Sequence, residues 1–524
     1  MTGQTIDRRR FLAGAAALGT ALGTAGASLA QTAPAGAPRR GGTLRMSIDQ
    51  AVAKLNPLLT RVNPEYLVAE LLYSGLTRLG TDMTPVPDLA ESWTPSADLT
   101  VWTFKLRSGV VFHDGSPCTA DDVAASFTAM LDARTASPAR NNIGPIESVT
   151  AKDPATVEIK LTSPYADLPV MVAYTNARIV PAALARGDMA RLDREAIGTG
   201  PFKLVSYEPD RQVVVQRNER YYDQARPYLN RVELVVYPDA TAEGSALLSG
   251  ATDLMLAALP TEYGRLERGQ GVRMLRTPSG QFCNLNFGCD VAPFNDPRVR
   301  RALAMTVDRA AMVDFVAEGY GTAGNDTPIN PAYTYYVEQP AKRPEVATAR
   351  ALLAEAGHAR GLAATLIASD RPAVRTQLAV AIREMARPAG FDITVQTMPH
   401  ATYLDQVWRK GNFYIGFYNM QPTADGIFSL LYTSNASWNE TRWNNAEFDR
   451  AVMSARATIE PAQRRTLYGQ AQAMMHRDVP SIIPVFFDLL TAQRSYVQGY
   501  QLHPRGAVFR LDHVWLAEGA PNRG

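Results

Sequence analysis

Between Val346 and Tyr418 the apolar pattern changes period repeatedly, and this limits the chain more than any other feature. Val346 to Gly357 has helical spacing and stops at a glycine, as helices closed by a left-handed residue do. Ala364–Ala368 reads as a strand, Arg375–Ala386 as a helix and Asp392–Gln396 as a strand. Tyr403–Arg409 then reads as a helix and Phe413–Tyr418 as a strand. Helices and strands that take turns in this way bury their apolar faces as α/β layers. The flanking regions add strands at Thr43–Ile48, Thr156–Leu161, Lys203–Tyr207, Val232–Tyr237, Gln281–Phe287 and Ile483–Phe487. Helices are expected over Glu65–Leu76, from Asp239 to near Gly250, and over Pro461–Met475. A further helix opens with Asp296 as cap and Pro297 in the first turn.

The first thirty residues read as an export signal rather than as part of the fold. Arg8-Arg9-Arg10-Phe11-Leu12 follows the twin-arginine pattern, and small apolar residues run to Leu29. Ser28 and Ala30 suit cleavage before Gln31, and no cysteine stands there to carry a lipid. The expectation is a periplasmic protein exported by the twin-arginine route and not lipid-anchored. Losing that segment, with its three Arg and one Asp, leaves basic and acidic residues in balance. No basic stripe is left to bind nucleic acid. With 46% hydrophobic and 20% charged residues the remainder is an ordinary globular composition. Its length suits two or three domains. Of the three cysteines, Cys283 and Cys289 could form a small-loop disulfide or remain buried thiols.

One segment is unusually rich in signals. Pro87-Asp88-Leu89-Ala90-Glu91-Ser92-Trp93 is followed by Trp102–Arg107, which alternates as a half-buried strand. His113-Asp114-Gly115 supplies a turn, and Thr119 with Asp121 and Asp122 opens a helix. Further on come Gly198-Thr199-Gly200-Pro201-Phe202, then Asn218 with Tyr221-Tyr222, then Asp239-Ala240. Pro293-Phe294-Asn295-Asp296-Pro297-Arg298-Val299-Arg300 and Ala349 to Gly357 complete the series.

In this order the blocks resemble the solute-binding proteins of family 5, the peptide, nickel and opine receptors of ABC importers. The resemblance covers nearly the whole mature chain. It implies an α/β, two-lobed periplasmic binding protein fold, hinged, with an extra subdomain inserted in the first lobe. Residues 31–42, rich in Ala, Pro and Gly, read as a flexible leader, and by that analogy lobe I comprises 43–85, 198–280 and 488–524. Residues 86–197 would be the inserted subdomain and 281–487 lobe II, with hinge crossings near Gly280–Asn284 and Ile483–Phe487. The function implied is capture of a peptide or peptide-like acidic solute and delivery to an ABC permease in the inner membrane. A monomer without a cofactor is expected.

The residues themselves offer little catalytic chemistry. None of the six histidines falls in a His-Glu-x-x-His arrangement, and no Gly-x-Ser-x-Gly elbow or Walker loop is present. His113 suits a structural hydrogen bond, and the Asp121–Asp122 pair suits a helix dipole. An exported hydrolase or a periplasmic chaperone is therefore the weaker reading.

A binding cleft needs aromatic contact area, amides and a partner for each buried charge. In the peptide receptors of the family an Arg of the second lobe takes the ligand carboxylate, and Arg371-Pro372 matches that motif. An Asp after a strand end takes the amino group there, whereas this chain has Asn419 or Met420 at that place, and Asp425 lies beyond Pro422. The departure allows an acid without a free α-amine, such as a blocked or side-chain-linked peptide, or an opine. Candidate ligand residues are Arg371, Phe417, Tyr418, Asn419, Met420, Gln421, Trp438 and Asn284. Asn286, Asn439, Trp443, Asn444 and Asn445 are secondary. A nickel-chelate receptor is the alternative within the family, with His400 and Met420 its only attractions.

Overall fold

The computed structural model describes residues 36–521. The export segment read over residues 1–30 lies outside them, as do residues 31–35 of the leader. Eleven strands form the main sheet. They are β1 (Thr43–Ile48), β2 (Phe202–Glu208), β3 (Gln212–Arg217), β4 (Arg231–Val236), β5 (Leu254–Met255) and β6 (Val272–Phe287). The remainder are β7 (Gly321–Ala323), β8 (Leu362–Ser369), β9 (Phe391–Met398), β10 (Phe413–Tyr418) and β11 (Ser481–Arg494). Their spatial order is β9-β8-β10-β6-β11-β5-β1-β4-β3-β2, with β7 pairing on β11. Pairings at the two ends are partly parallel, β8 with β9 and β1 with β4, while β6 and β11 run antiparallel through the centre. A separate four-stranded antiparallel sheet is built from residues 90–95, 101–106, 146–153 and 156–161.

Two lobes follow from how the apolar side chains divide. One core gathers β1, β3 and β4 with the four-stranded sheet, and includes Val497, Phe509 and Val514 from near the C-terminus. A second gathers Leu285, Leu366, Ile393 and Ile415 from β6, β8, β9 and β10 with Val485 of β11. A third packs Leu79, Met83, Val170 and Ala173 against Met420, Phe428 and Tyr468. Among the described residues β6 and β11 are the longest strands, and they lie side by side in the middle of the sheet between the strands of the first core and those of the second. At fourteen residues β11 spans about 46 Å, and all but two of its residues are buried, as a central strand covered on both faces requires. Its pairing with β6 slips twice. The first slip lies between Thr277 and Gln281, facing Asp488. The second lies between Cys283 and Leu285, beside Pro484, which has no N–H to give the ladder.

Four helices matter below: α1 (Asn63–Leu72), α2 (Ala120–Leu131), α3 (Val374–Ala386) and α4 (Pro461–Asp478). The Asp122 carboxylate accepts from the Thr119 N–H at 2.8 Å and from the Ala182 N–H at 2.8 Å, so it fastens the start of α2. Asp121 pairs with Arg186. Among the described residues no helix is long and apolar enough to cross a membrane.

The motif residues form one scaffold in the first core. Asp88, fully buried, accepts from the Gly75 N–H at 2.8 Å and pairs with Arg78 at 2.9 Å. Arg78 in turn donates to the Tyr221 hydroxyl at 3.0 Å. The His113 N–H donates to Gly198 O at 2.8 Å, its ring lies 3.2 Å from Gly200 O, and Asn218 Nδ2 reaches the same oxygen at 3.0 Å. Burial pushes the His113 imidazole down to about 4, so it is neutral. Gly198 and Gly200 are needed because the chain passes against the end of α1. A Cβ at Gly198 would lie 2.0 Å from Leu72 O, and one at Gly200 2.4 Å from Leu72 C. All three cysteines are free thiols, so Cys283 and Cys289 are not bonded to each other.

Candidate functional site

A cavity of about 500 Å³ lies between the lobes, where β6 and β11 cross. On one wall stand Phe417, Asn419, Met420 and Gln421, which follow one another at the end of β10. The opposite wall is made by Arg61, Asn63 and Tyr66 at the start of α1, by Tyr174, and by residues 500–509. Gln281, Phe487 and Asp488 line it where the two long strands cross.

The first wall is held from behind. Asn419 Oδ1 accepts from Gln281 Nε2 at 2.6 Å, tying the loop to β6. The Met420 thioether, 2% exposed, receives the Gly280 N–H at 3.3 Å, and the Gln421 N–H donates to the Tyr333 hydroxyl at 3.1 Å. The amide of Asn419 and the ring of Phe417 are thus presented at fixed positions.

Other candidates stand elsewhere. Strand alternation turns Tyr418 away from Phe417; its hydroxyl accepts from Trp408 Nε1 at 3.2 Å behind the wall. Trp438 packs edge-on to Trp408 at 5.2 Å between ring centres, outside the cavity. Asn284 is buried beneath β10, where it donates to Asn286 Oδ1 at 2.7 Å, and Asn286 donates to the Glu440 carboxyl at 2.9 Å. Arg371 is exposed and does not line the cavity, although its neighbour Pro372 does. His400 contacts Ser369 Oγ at 2.9 Å and is likewise outside it. Trp443 is packed on Phe448, and Asp425 is paired with Arg456 at 3.0 Å.

Beside Arg371 the sequence reading passed over Arg375, in the first turn of α3. It is buried, stacked 5.2 Å from the Tyr403 ring centre and 5.9 Å from that of Phe417. The entire opposite wall was also missed. Its residues come from three distant parts of the chain, and no periodicity or motif joins them.

The electrostatics of the cavity are simple. Asp488 is bonded through Oδ2 to Arg276, and burial raises its carboxyl above the usual range. His503 receives the Arg505 N–H on Nδ1 at 3.2 Å, leaving Nε2–H to donate to Gly80 O at 2.8 Å. Burial pushes its imidazole down to about 4, so it is neutral. Arg61 donates to Ala136 O at 3.2 Å. Such a space, with aromatic walls, amides and one cationic side, suits a small polar solute.

Comparison with known proteins agrees with this geometry. The family described as bacterial extracellular solute-binding proteins, family 5 Middle, matches residues 84–441. The glutathione-binding protein GsiB of Shigella boydii is 27% identical over 450 residues, covering 83% of this chain and 87% of its own. Heme-binding protein A of Haemophilus influenzae is 29% identical over 480 residues, covering 84% and 86%. Among solved structures, the binding protein AgaA of A. tumefaciens R10, in complex with agropinic acid, superposes with a TM-score of 0.74 at 25% identity. That match covers 91% of this chain and 99% of AgaA. The chain belongs to the bacterial extracellular solute-binding proteins of family 5.

Proposed function

We propose that the chain is the periplasmic receptor of an ABC importer and captures a peptide or peptide-like acidic solute in the inter-lobe cavity. Ligand selects the closed state by its contacts with both walls, and that state is delivered to the permease in the inner membrane. The observation that carries this reading is the cavity itself. Its walls come from residues on either side of the two central strands β6 and β11, which supports a cleft between two lobes. Phe417, Asn419, Met420 and Gln421 contact the solute, and Arg371, exposed beside the lining residue Pro372, is available to a carboxylate.

The relatives lean the same way: one is named for glutathione, a γ-linked tripeptide acid, and another is complexed with agropinic acid. An opine or other small acid is therefore the second reading. The nickel-chelate reading is weaker, because His400 faces Ser369 outside the cavity and the Met420 sulfur is engaged by Gly280. The protein acts as a monomer and performs no catalysis. It is exported through the twin-arginine signal at residues 8–12. Lobe I comprises 43–85, 198–280 and 488–524, with 86–197 inserted and 281–487 as lobe II. The separation of the first core from the second supports setting 281–487 apart from the rest.

The test is the melting temperature of protein refolded to strip carried-over solute. Free dipeptides, N-blocked and γ-linked peptides, opines and nickel chelates are compared. A ligand at a hundred times its Kd adds about 2.7 kcal/mol. Stabilisation by an acid of the panel is expected; a response to nickel chelates alone would overturn the reading.

A further inference from the structure

We infer that Arg505 is an anion-binding residue of the cavity and takes a carboxylate of the solute on the wall opposite Phe417 and Asn419. This rests on the cavity being the ligand site and specifies the chemistry that it selects.

The argument starts from the turn that carries the residue. His503-Pro504-Arg505-Gly506 closes with the Gly506 N–H donating to His503 O at 2.8 Å. Pro504 fixes the second position, and Gly506 leaves the turn with φ of 81°. Both ring nitrogens of His503 are used, one by the Arg505 N–H and one by Gly80 O. The turn is therefore pinned to the first lobe before any ligand arrives.

Its side chain is held in the same way but is not satisfied. The guanidinium lies over the Tyr174 ring, 5.0 Å from the ring centre. Its Nε is buried with no hydrogen-bond partner among the described residues, and no described carboxylate pairs with this half-buried side chain. Among the described lining residues no other charged side chain is in this position. Arg61 is bonded to a carbonyl, Asp488 to Arg276, and His503 is neutral. Tyr66 and Tyr174 stand in the same wall, close enough for Arg505 to act electrostatically on the Tyr66 phenol. Two phenols and a guanidinium thus converge on one side of the cavity.

A guanidinium facing a closing cavity loses water as the lobes meet, and an unpaired buried charge is costly. A planar carboxylate repairs this, because the fork can donate two parallel hydrogen bonds to it. Stacking on Tyr174 has already removed much of the side chain's freedom, so little more is lost on binding. The site thus selects solutes carrying a carboxylate on the side away from Asn419, and disfavours amides and esters.

The test is calorimetric titration with three probes, each also with every carboxylate converted to the methyl ester. The probes are glutathione, alanyl-phenylalanine and N-acetyl-alanyl-phenylalanine. At least one acid is expected to bind, and its ester at least about tenfold more weakly. In Arg505→Gln, which keeps a flat terminus over Tyr174, the acid should weaken by about ten- to a hundredfold. The ester should not change. Arg505→Lys should recover part of the loss, which a purely structural role would not do. If acid and ester bind alike, or the acid keeps its affinity in Arg505→Gln, the inference fails while the receptor function stands. If no probe binds, the peptide-like acid reading fails and the inference with it.

Discussion

Replacing Glu440 by Gln should change how stability depends on pH, by an amount the structure specifies. Glu440 is 2% exposed beneath β10, where Asn286 donates to its carboxyl and the Tyr414 and Tyr418 hydroxyls lie close. Among the described residues no cation pairs with it. Burial pushes the carboxyl up to about 7 from an ordinary 4.5. In the unfolded chain the proton is lost near 4.5, and in the folded chain only near 7. Between those values the unfolded state binds fewer protons, so stability falls as pH rises, by about 1.4 kcal/mol per pH unit. Across the window the loss is about 3 kcal/mol, complete above pH 7 and absent below pH 4.5. Gln keeps the shape and does not titrate. Urea unfolding at half-unit intervals from pH 4 to 8 gives the difference between variant and wild type, in which distant titrations cancel. The difference should move in favour of Glu440→Gln through the window and then level off. A difference that stays flat from pH 4 to 8 would refute the buried neutral carboxyl.

Three other outcomes follow from the scaffold. Gly200→Ala, whose Cβ would press on the Leu72 backbone at 2.4 Å, should lower stability by at least about 2 kcal/mol in the same urea assay. Arg464→Leu leaves the buried Asp167 without the guanidinium that pairs with it at 2.6 Å; a loss of about 3–5 kcal/mol is expected. The native protein should give no fast thiol reaction at pH 8, because burial raises all three thiols, Cys283 to about 12, Cys289 to about 11 and Cys118 well above its ordinary value. Three thiols per chain should appear on unfolding in denaturant, read with a chromogenic disulfide reagent.

The sequence was most readable where one period runs long enough to show. Phe413–Tyr418 and Thr43–Ile48 have the expected bounds, and Asp239 and Gly250 close their helix as the residues suggest. The two long strands were each read as less than half their length. Val272 to Gly280 carries three polar residues and a Pro-Ser-Gly run at the register slip, so it does not alternate cleanly. For the cavity, the motif at the end of β10 pointed to one wall, and Phe417, Asn419, Met420 and Gln421 do line it. Period-two alternation already implied that Tyr418 faces the other way. Arg505 could not be found, because a lone Arg in a Pro-Gly turn looks like any solvated loop. Its meaning comes from Tyr174 and Tyr66, which reach it only through the fold.

The central claim is that a small peptide-like acid sits between the lobes, and native mass spectrometry of protein purified from the periplasm without unfolding tests it most directly. The account predicts one solute per chain, released on unfolding, whose fragments show a carboxylate and amide bonds. A released nickel chelate would contradict it, as would a bare chain whose mass no free, N-blocked or γ-linked peptide shifts.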